Sequence, residues 1–339
     1  MLAVIRADAS TSIGSGHVMR CLTLAHRLKK EKNAKVVFAM RVLPGNLIGV
    51  VEKQGFEVLK LPPANQKYSL SGYGLWLTVP IDVDAQQTIE VLQHYFQEYS
   101  CDAVDRLIVD SYALDEQWEL MLRPYCNKIM VIDDLANRIH DCDILLDQNF
   151  YLNKDVRYAG LVPEHCKMLL GPEHALLREE FREAKKHLRK RDGNIKNILV
   201  FYGGSDLTNE TEKAIKALVQ LHDEGYNFTA DVITGVSNSR REKIKNLCSK
   251  YQFLHYYCQI SNMAEFMNKA DLMLGAGGST TWERLYMELP ALVTAVAENQ
   301  IQGCEDCSQA GIIEYLGINE DVRVDTILEA LHKKLDKHN

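Results

Sequence analysis

The sequence predicts an α/β protein made of two Rossmann-like domains facing a central cleft. Three observations lead there: short aliphatic runs alternate with amphipathic stretches of helical period, the alternation restarts after a basic interruption near mid-chain, and two glycine-rich loops each follow an apolar run and precede a helix-like stretch. At 339 residues the chain exceeds what one core usually supports. Two domains are therefore expected, at 1–180 and 181–339.

The first series places strands at 2–7, 35–39, 57–59, 107–110, 128–133 and 144–146, with helices at 17–31, 46–54, 85–99 and 115–122. Residues 62–83, which carry Pro, Gly, Tyr and Trp76, break the rhythm and read as a long loop of the kind that covers sites. The basic, polar run 185–196 (KKHLRKRDGNIK) marks the boundary, although a solvated helix end would have the same composition. The second series places strands at 197–202, 228–234, 253–256, 271–274 and 291–295. Its helices fall at 210–222, 238–250, 262–270, 281–288, 300–310 and from about 324 onward. Two such halves facing each other would bring strand-end loops from both to one crevice.

Composition removes several classes. A formal charge of −7 offers no basic face for a nucleic acid. Nine cysteines, odd in number and scattered, fit reduced thiols in a cytoplasm better than a disulfide framework. Cys304 and Cys307 form a CxxC within a helix-like stretch and lack a second ligand pair, so they read as inert rather than as a redox or zinc site. Arg6 interrupts the short apolar run at the N-terminus and no window reaches membrane-spanning length, so neither a signal peptide nor stable membrane insertion is expected.

The first glycine loop, 8–19 (DASTSIGSGHVM), has GxG spacing at Gly14 and Gly16 but Met19 at the third glycine position. The next strand ends in Phe38, Ala39, Met40 and Arg41, without the acid that would take a ribose in a nicotinamide enzyme. No phosphate loop of Walker type occurs either. What remains is His17 at the start of a helix, where the positive helix end favours a neutral imidazole able to act as a general base. Capping the helix or filling the turn would use the same residue.

The second loop, 275–280 (GAGGST), is richer. Gly277 and Gly278 allow close backbone approach of a diphosphate, Ser279 and Thr280 add hydroxyls, and Glu283 lies one turn into the helix, where a carboxylate can take ribose hydroxyls. A tight strand-to-helix connection would look similar. Gly204, in the turn Gly203, Gly204, Ser205, Asp206, adds a further glycine loop in the same half. Asp110 and Tyr112 end a strand on the presumed crevice side, where either a substrate or a turn accounts for them. Asp133 with Asp134, and Asp141 with Asp143, read as strand-end and turn carboxylates rather than a divalent-metal pair, so no metal is expected.

Taken together, the segments resemble the UDP-2,4-diacetamido-2,4,6-trideoxy-β-L-altropyranose hydrolases of pseudaminic acid biosynthesis. The resemblance spans nearly the whole chain. It rests on RADASTSIGSGHVMRCLTLA (6–25), VDSYALD (109–115), IDDLANRIHDCDILLDQN (132–149), YAGLVP (158–163), HALLREEF (174–181), YGGSD (202–206) and GAGGSTTWERLYMELPALVTAVAENQ (275–300). That family is similar to the GT-B sugar-nucleotide transferases, which implies a GT-B-like fold with UDP on the C-terminal half. The resemblance implies His17 as catalytic base and Asn299 near the sugar, and the loop and strand-end positions add Gly16, Asp110 and Tyr112 as sugar-side candidates. It implies Glu283 as the ribose-binding acid and no metal; Gly204, Gly277, Gly278, Ser279 and Thr280 are the UDP-side candidates read from the glycine loops, and no cofactor is expected. The implied reaction is cytoplasmic, inverting hydrolysis of a UDP-linked diacetamido-trideoxy sugar. A GT-B transferase or a noncatalytic UDP-sugar-binding protein are the alternatives. Relative to shorter members, the chain has an extended region at 68–83 and a longer C-terminal tail.

Overall fold

In the computed structural model, which describes residues 1–336, the aliphatic runs form strands, and every pairing between them is parallel. The first series contains β1 (Leu2–Ala7), α1 (Gly16–Lys32), β2 (Lys35–Arg41), α2 (Ile48–Lys53), β3 (Glu57–Leu61), α3 (Gly74–Leu77), α4 (Ile81–Tyr99), β4 (Arg106–Asp110), α5 (Glu116–Leu122), β5 (Ile129–Ile132), β6 (Ile144–Asp147), α6 (Lys154–Arg157) and β7 (Lys167–Leu170). The second contains α7 (Glu179–Lys185), β8 (Asn197–Phe201), α8 (Glu210–Asp223), β9 (Thr229–Thr234), α9 (Arg241–Cys248), β10 (Leu254–Cys258), α10 (Met263–Lys269), β11 (Leu272–Ala276), α11 (Thr280–Tyr286), β12 (Ala291–Ala295), α12 (Ile301–Gln309), β13 (Glu314–Ile318) and α13 (Val324–Leu335). The chain divides into one unit of Met1–Asn149 with Asn153–Leu176 and another of Phe150–Leu152 with Leu177–Asn339.

Each unit holds one sheet. The first is ordered β3-β2-β1-β4-β5-β6-β7 and the second β10-β9-β8-β11-β12-β13. Both are Rossmann-like, with strand order reversing between β1 and β4 and between β8 and β11. At such a reversal the loops leaving neighbouring strands diverge to opposite faces and open a crevice beyond the strand ends. The glycine loops after β1 and β11 both leave strands of these reversal pairs.

Packing in the first unit follows the two-residue period of a buried strand. Ala3, Ile5 and Ala7 join Val18, Cys21, Leu22 and Ala25 of α1 in one apolar layer, while Val4 joins Leu92 of α4 and Trp118 of α5 in the other. Arg6 lies on the second face, fully buried. Its guanidinium pairs with Asp8 at 2.7 Å and Asp84 at 2.8 Å, and Arg41 joins Asp84 at 2.6 Å. Trp118 Nε1 donates to Asp84 at 3.0 Å, and Arg41 Nη1 donates to the carbonyl of Pro62 at 2.6 Å. Two arginines thus meet two aspartates in a closed network, the arrangement in which buried charge is tolerated. Burial works to raise the Asp84 carboxyl, but Arg6 and Arg41 outweigh it and hold Asp84 below the usual carboxylate range.

The second unit packs Ile198 and Val200 of β8 with Leu218 and Leu221 of α8 and Leu331 of α13. The basic run that reads as an interruption is stitched to this unit. Arg189 donates to the carbonyls of Asn268 at 2.7 Å and Lys269 at 2.8 Å, and pairs with Asp271; Arg191 donates to the carbonyls of Met267 at 2.7 Å and Met287 at 2.9 Å. Guanidinium groups here satisfy carbonyls at the C-terminal ends of α10 and α11, which helices leave without internal partners.

Several elements depart from the expected pattern. The edge strands β7 and β13 are absent from the sequence reading because neither contains a fully buried residue, so neither carries the aliphatic run of a central strand. The short helices α6 and α7 were also not anticipated. The long 62–83 stretch contains a helical turn, α3, and α4 begins at Ile81, directly after Pro80, four residues before the expected start.

Candidate active site

The loop after β1 is rigidly braced. Asp8 accepts the backbone N–H of Arg41 at 2.7 Å, and the Ser10 hydroxyl accepts the amides of Ser12 at 3.2 Å and Ile13 at 3.0 Å. Gly45 backs onto Thr11 so closely that a side chain there would meet the Thr11 Cγ2 at 2.9 Å. This bracing sets Gly16 at the exposed start of α1 and His17 one residue later, only 7% exposed.

His17 Nδ1 lies 2.6 Å from Asp110 Oδ1, at the end of β4 across the reversal point. Asp110 is fully buried, and Arg20, one turn along α1, grips both its oxygens, Nε to Oδ2 at 2.6 Å and Nη2 to Oδ1 at 2.7 Å. Burial pushes the Asp110 carboxyl up, but Arg20 and then His17 overcome it and hold the group far below the ordinary carboxylate range. In the neutral imidazole, a proton on Nδ1 is donated to the ionised Asp110, and Nε2 is then the nitrogen with the free lone pair. Asp110 is thus placed behind the imidazole, with its oxygens occupied. The reading of Asp110 as a sugar contact meets a carboxylate with no exposed surface.

Tyr112 sits beside the imidazole, ring centroids 4.7 Å apart and nearly perpendicular. Its hydroxyl donates to Asp134 at 2.5 Å, and Asp134 also takes Arg20 Nη1 at 3.1 Å. Burial, followed by the Asp134 charge, drives the phenol well above its usual value, so Tyr112 is a neutral donor. The sequence places His17 at a helix start and Asp110 and Tyr112 at a strand end; it gives Asp134 only a strand-end role and does not single out Arg20. The signal for Arg20 was its three-residue spacing from His17 on a helix, which puts both side chains on one face.

The remaining carboxylates have arginine partners. Arg123 clamps Asp141 at 2.8 Å and Asp143 at 2.6 Å, and Arg138 pairs with Asp133 at 2.7 Å. Among the described residues no cluster of three or more His, Cys, Asp or Glu could hold a metal ion.

In the second unit the loops after β8 and β11 leave adjacent strands. Gly203 has φ of +90°, which suits glycine, and the amide of Gly235 donates to the Gly204 carbonyl at 3.1 Å. Gly277 has the tightest surroundings: a Cβ there would fall 2.2 Å from Cys304 Sγ. The CxxC helix α12 thereby supports the glycine loop. Burial raises the Cys304 thiol to about 12, which makes it inert. Gln300, beside the exposed Asn299 in the turn Glu298–Gln300, reaches Gly278, where a Cβ would meet its Nε2 at 3.6 Å. Ser279 and Thr280 open α11. Glu283 is partly buried and accepts Arg178 Nε at 2.8 Å, a partner the sequence reading did not assign.

Residues 198–337 match the glycosyltransferase family 28 C-terminal domain. Over 312 residues the chain is 27% identical to an uncharacterized protein of Methanocaldococcus jannaschii, covering 89% of this chain and 57% of that relative's length. It is 25% identical over 302 residues to the UDP-2,4-diacetamido-2,4,6-trideoxy-β-L-altropyranose hydrolase of Campylobacter jejuni, covering 88% of this chain and 93% of that protein. The crystal structure of Acinetobacter baumannii MurG superposes with a TM-score of 0.62 at 13% identity, covering 99% of this chain and 94% of that one. No described helix is long and apolar enough to cross a membrane. The chain therefore has the two-Rossmann fold of the GT-B glycosyltransferases and is a sequence relative of a UDP-sugar hydrolase.

Proposed function

We propose that this protein hydrolyses the anomeric C–O bond of a UDP-linked 2,4-diacetamido-2,4,6-trideoxy sugar, as a cytoplasmic enzyme that needs no metal. The observation that carries the reading is the buried, arginine-locked Asp110 behind His17, which leaves Nε2 as a base at the reversal point of the first sheet. In the proposed step Nε2 takes a proton from water as its oxygen bonds to C1. The C1–O bond breaks with its electron pair leaving on UDP, and the anomeric configuration inverts. Asp110 stabilises the resulting imidazolium and acts as a positioning residue. Gly16, Tyr112 and Asn299 belong to the sugar side of this reading.

UDP binding is assigned to the second unit. Gly204, Gly277, Gly278, Ser279 and Thr280 offer backbone approach and hydroxyl donors to the diphosphate, and Glu283, held by Arg178, takes the ribose hydroxyls. The glycosyltransferase match over residues 198–337 favours a second reading, transfer of the sugar to an acceptor alcohol. Incubation of purified protein with the UDP-sugar in ¹⁸O-water, without acceptor, separates the two. Hydrolysis gives UDP and free sugar with the label at C1 only, first seen by NMR as the inverted anomer. Intact donor after prolonged incubation sinks the hydrolase reading.

A further inference from the structure

The segment between β3 and α4 is fastened at both ends. Arg41 holds the Pro62 carbonyl, and Leu77 and Val79 are buried in the core on either side of Thr78, whose φ of +62° turns the chain sharply. Between these anchors α3, with Tyr73 just before it, carries Trp76 toward His17. The Trp76 ring lies 5.9 Å from the imidazole and stacks on Tyr112 at 5.6 Å with an interplanar angle of 29°. Tyr73 closes the cluster, 4.8 Å from Trp76 and 5.2 Å from Tyr112.

Beneath these rings the charges are paired among themselves: Asp110 with His17 and Arg20, and Asp134 with Arg20 and Tyr112. The imidazole therefore works beside an aromatic wall rather than a charged one. Sugar C–H groups and methyls pack well on such a wall, whereas a hydroxyl pressed against it loses water without gaining a partner. Trp76 is half-buried, so part of the indole remains available to a ligand.

We propose that Trp76 is a specificity-determining residue, presenting its indole beside His17 to a 6-deoxy sugar, one that bears a methyl rather than a hydroxymethyl group on C5. The inference rests on the reading of His17 as the base of a UDP-sugar site, and the test keeps the two apart. Two donors differing in one oxygen, UDP-N-acetylglucosamine and its 6-deoxy counterpart, are compared by kcat/KM and by calorimetric Kd in a His17→Asn background. The unsubstituted chain and Trp76→Phe are expected to favour the 6-deoxy donor by roughly 10- to 100-fold, and Trp76→Ala to discriminate less than about threefold. Affinity for UDP alone stays unchanged, and a merely structural role for Trp76 would lower both donors together and leave their ratio intact.

An unaltered ratio in Trp76→Ala overturns the proposal, as does the absence of any preference in the unsubstituted chain. Trp76→Leu reports the same ratio where the alanine variant fails to fold. A Trp76-dependent preference in Kd, together with no UDP release from the UDP-linked 2,4-diacetamido-2,4,6-trideoxy sugar, removes the hydrolase reading and upholds the specificity assignment. Turnover with a Trp76-independent ratio does the reverse.

Discussion

The two units repeat one strand order and use their reversal-point loops in opposite ways. After β1 and β4 the first unit gathers charge: Asp8 and Asp110 are buried, each ion-paired to arginine, and His17 stands on Asp110 under aromatic cover. After β8 and β11 the second unit gathers glycine, and close backbone packing replaces side chains at Gly204 and Gly277. The parallel topology supplies both crevices equally, so the difference comes from the residues placed there. A loop rich in fixed side-chain charge can orient a proton, whereas a loop stripped of side chains can let a phosphate reach the backbone.

The largest expected effect tests that division directly. His17→Asn should lower UDP release by roughly 10²- to 10⁴-fold, the usual contribution of a general base, while calorimetric affinity for UDP is retained. Gly277→Ala should show the opposite pattern, weakened UDP affinity with a smaller change in turnover at saturating donor. Loss of UDP binding in the histidine variant would collapse the contrast between the units.

Next in size is the charge network of the first unit. Asp84→Ala leaves Arg6 and Arg41 buried beside a missing carboxylate, and chemical denaturation should show a loss of about 3–5 kcal/mol. A loss below 1 kcal/mol would mean that the network rearranges or takes in water. Gly277→Ala tests the packing counterpart: overfilling against Cys304 should cost about 1–3 kcal/mol, and adding Cys304→Ala should restore most of it. If the double variant is no more stable than the single, the thiol is not what confines the loop.

The smallest effect is a slope. Burial, then the Asp134 charge, raises Asp147 at the end of β6 to about 7, so folding favours its protonated form. Its stabilising contribution is therefore complete below about pH 4 and lost as pH rises to about 7, by on the order of 1 kcal/mol per pH unit. Thermal melts of Asp147→Asn across that window should show the variant gaining on the unsubstituted chain as pH rises. Parallel curves would remove the raised carboxyl from the account.

The central strands were legible because burial on both faces demands continuous aliphatic runs, as in Ile198–Val200 and Ala291–Ala295. The edge strands β7 and β13 were not, because half-exposed edges tolerate mixed composition. His17, Gly277 and Glu283 stand out as candidates by type and position, a histidine at a glycine turn and an acid one turn beyond a glycine loop, the same residues that a cap or a tight connection would use. Arg20 does not stand out because an arginine in a helical pattern ordinarily reads as solvated surface, and Arg178 does not because the short α7 that it precedes is itself not legible. Trp76 was seen only as part of a loop.

The sequence by itself determined the alternation of strand and helix, the two-domain count and the identity of the loops that leave the reversal points. Periodicity and backbone-permissive residues act locally, within a few positions. Only the tertiary structure decided that Asp110 lies behind His17 rather than in front of it, that Arg6 is a buried partner of Asp84, and that Trp76 reaches the imidazole. Those contacts join residues 93, 78 and 59 positions apart, where charge pairing and ring packing depend on how layers meet and leave no periodic trace in the chain.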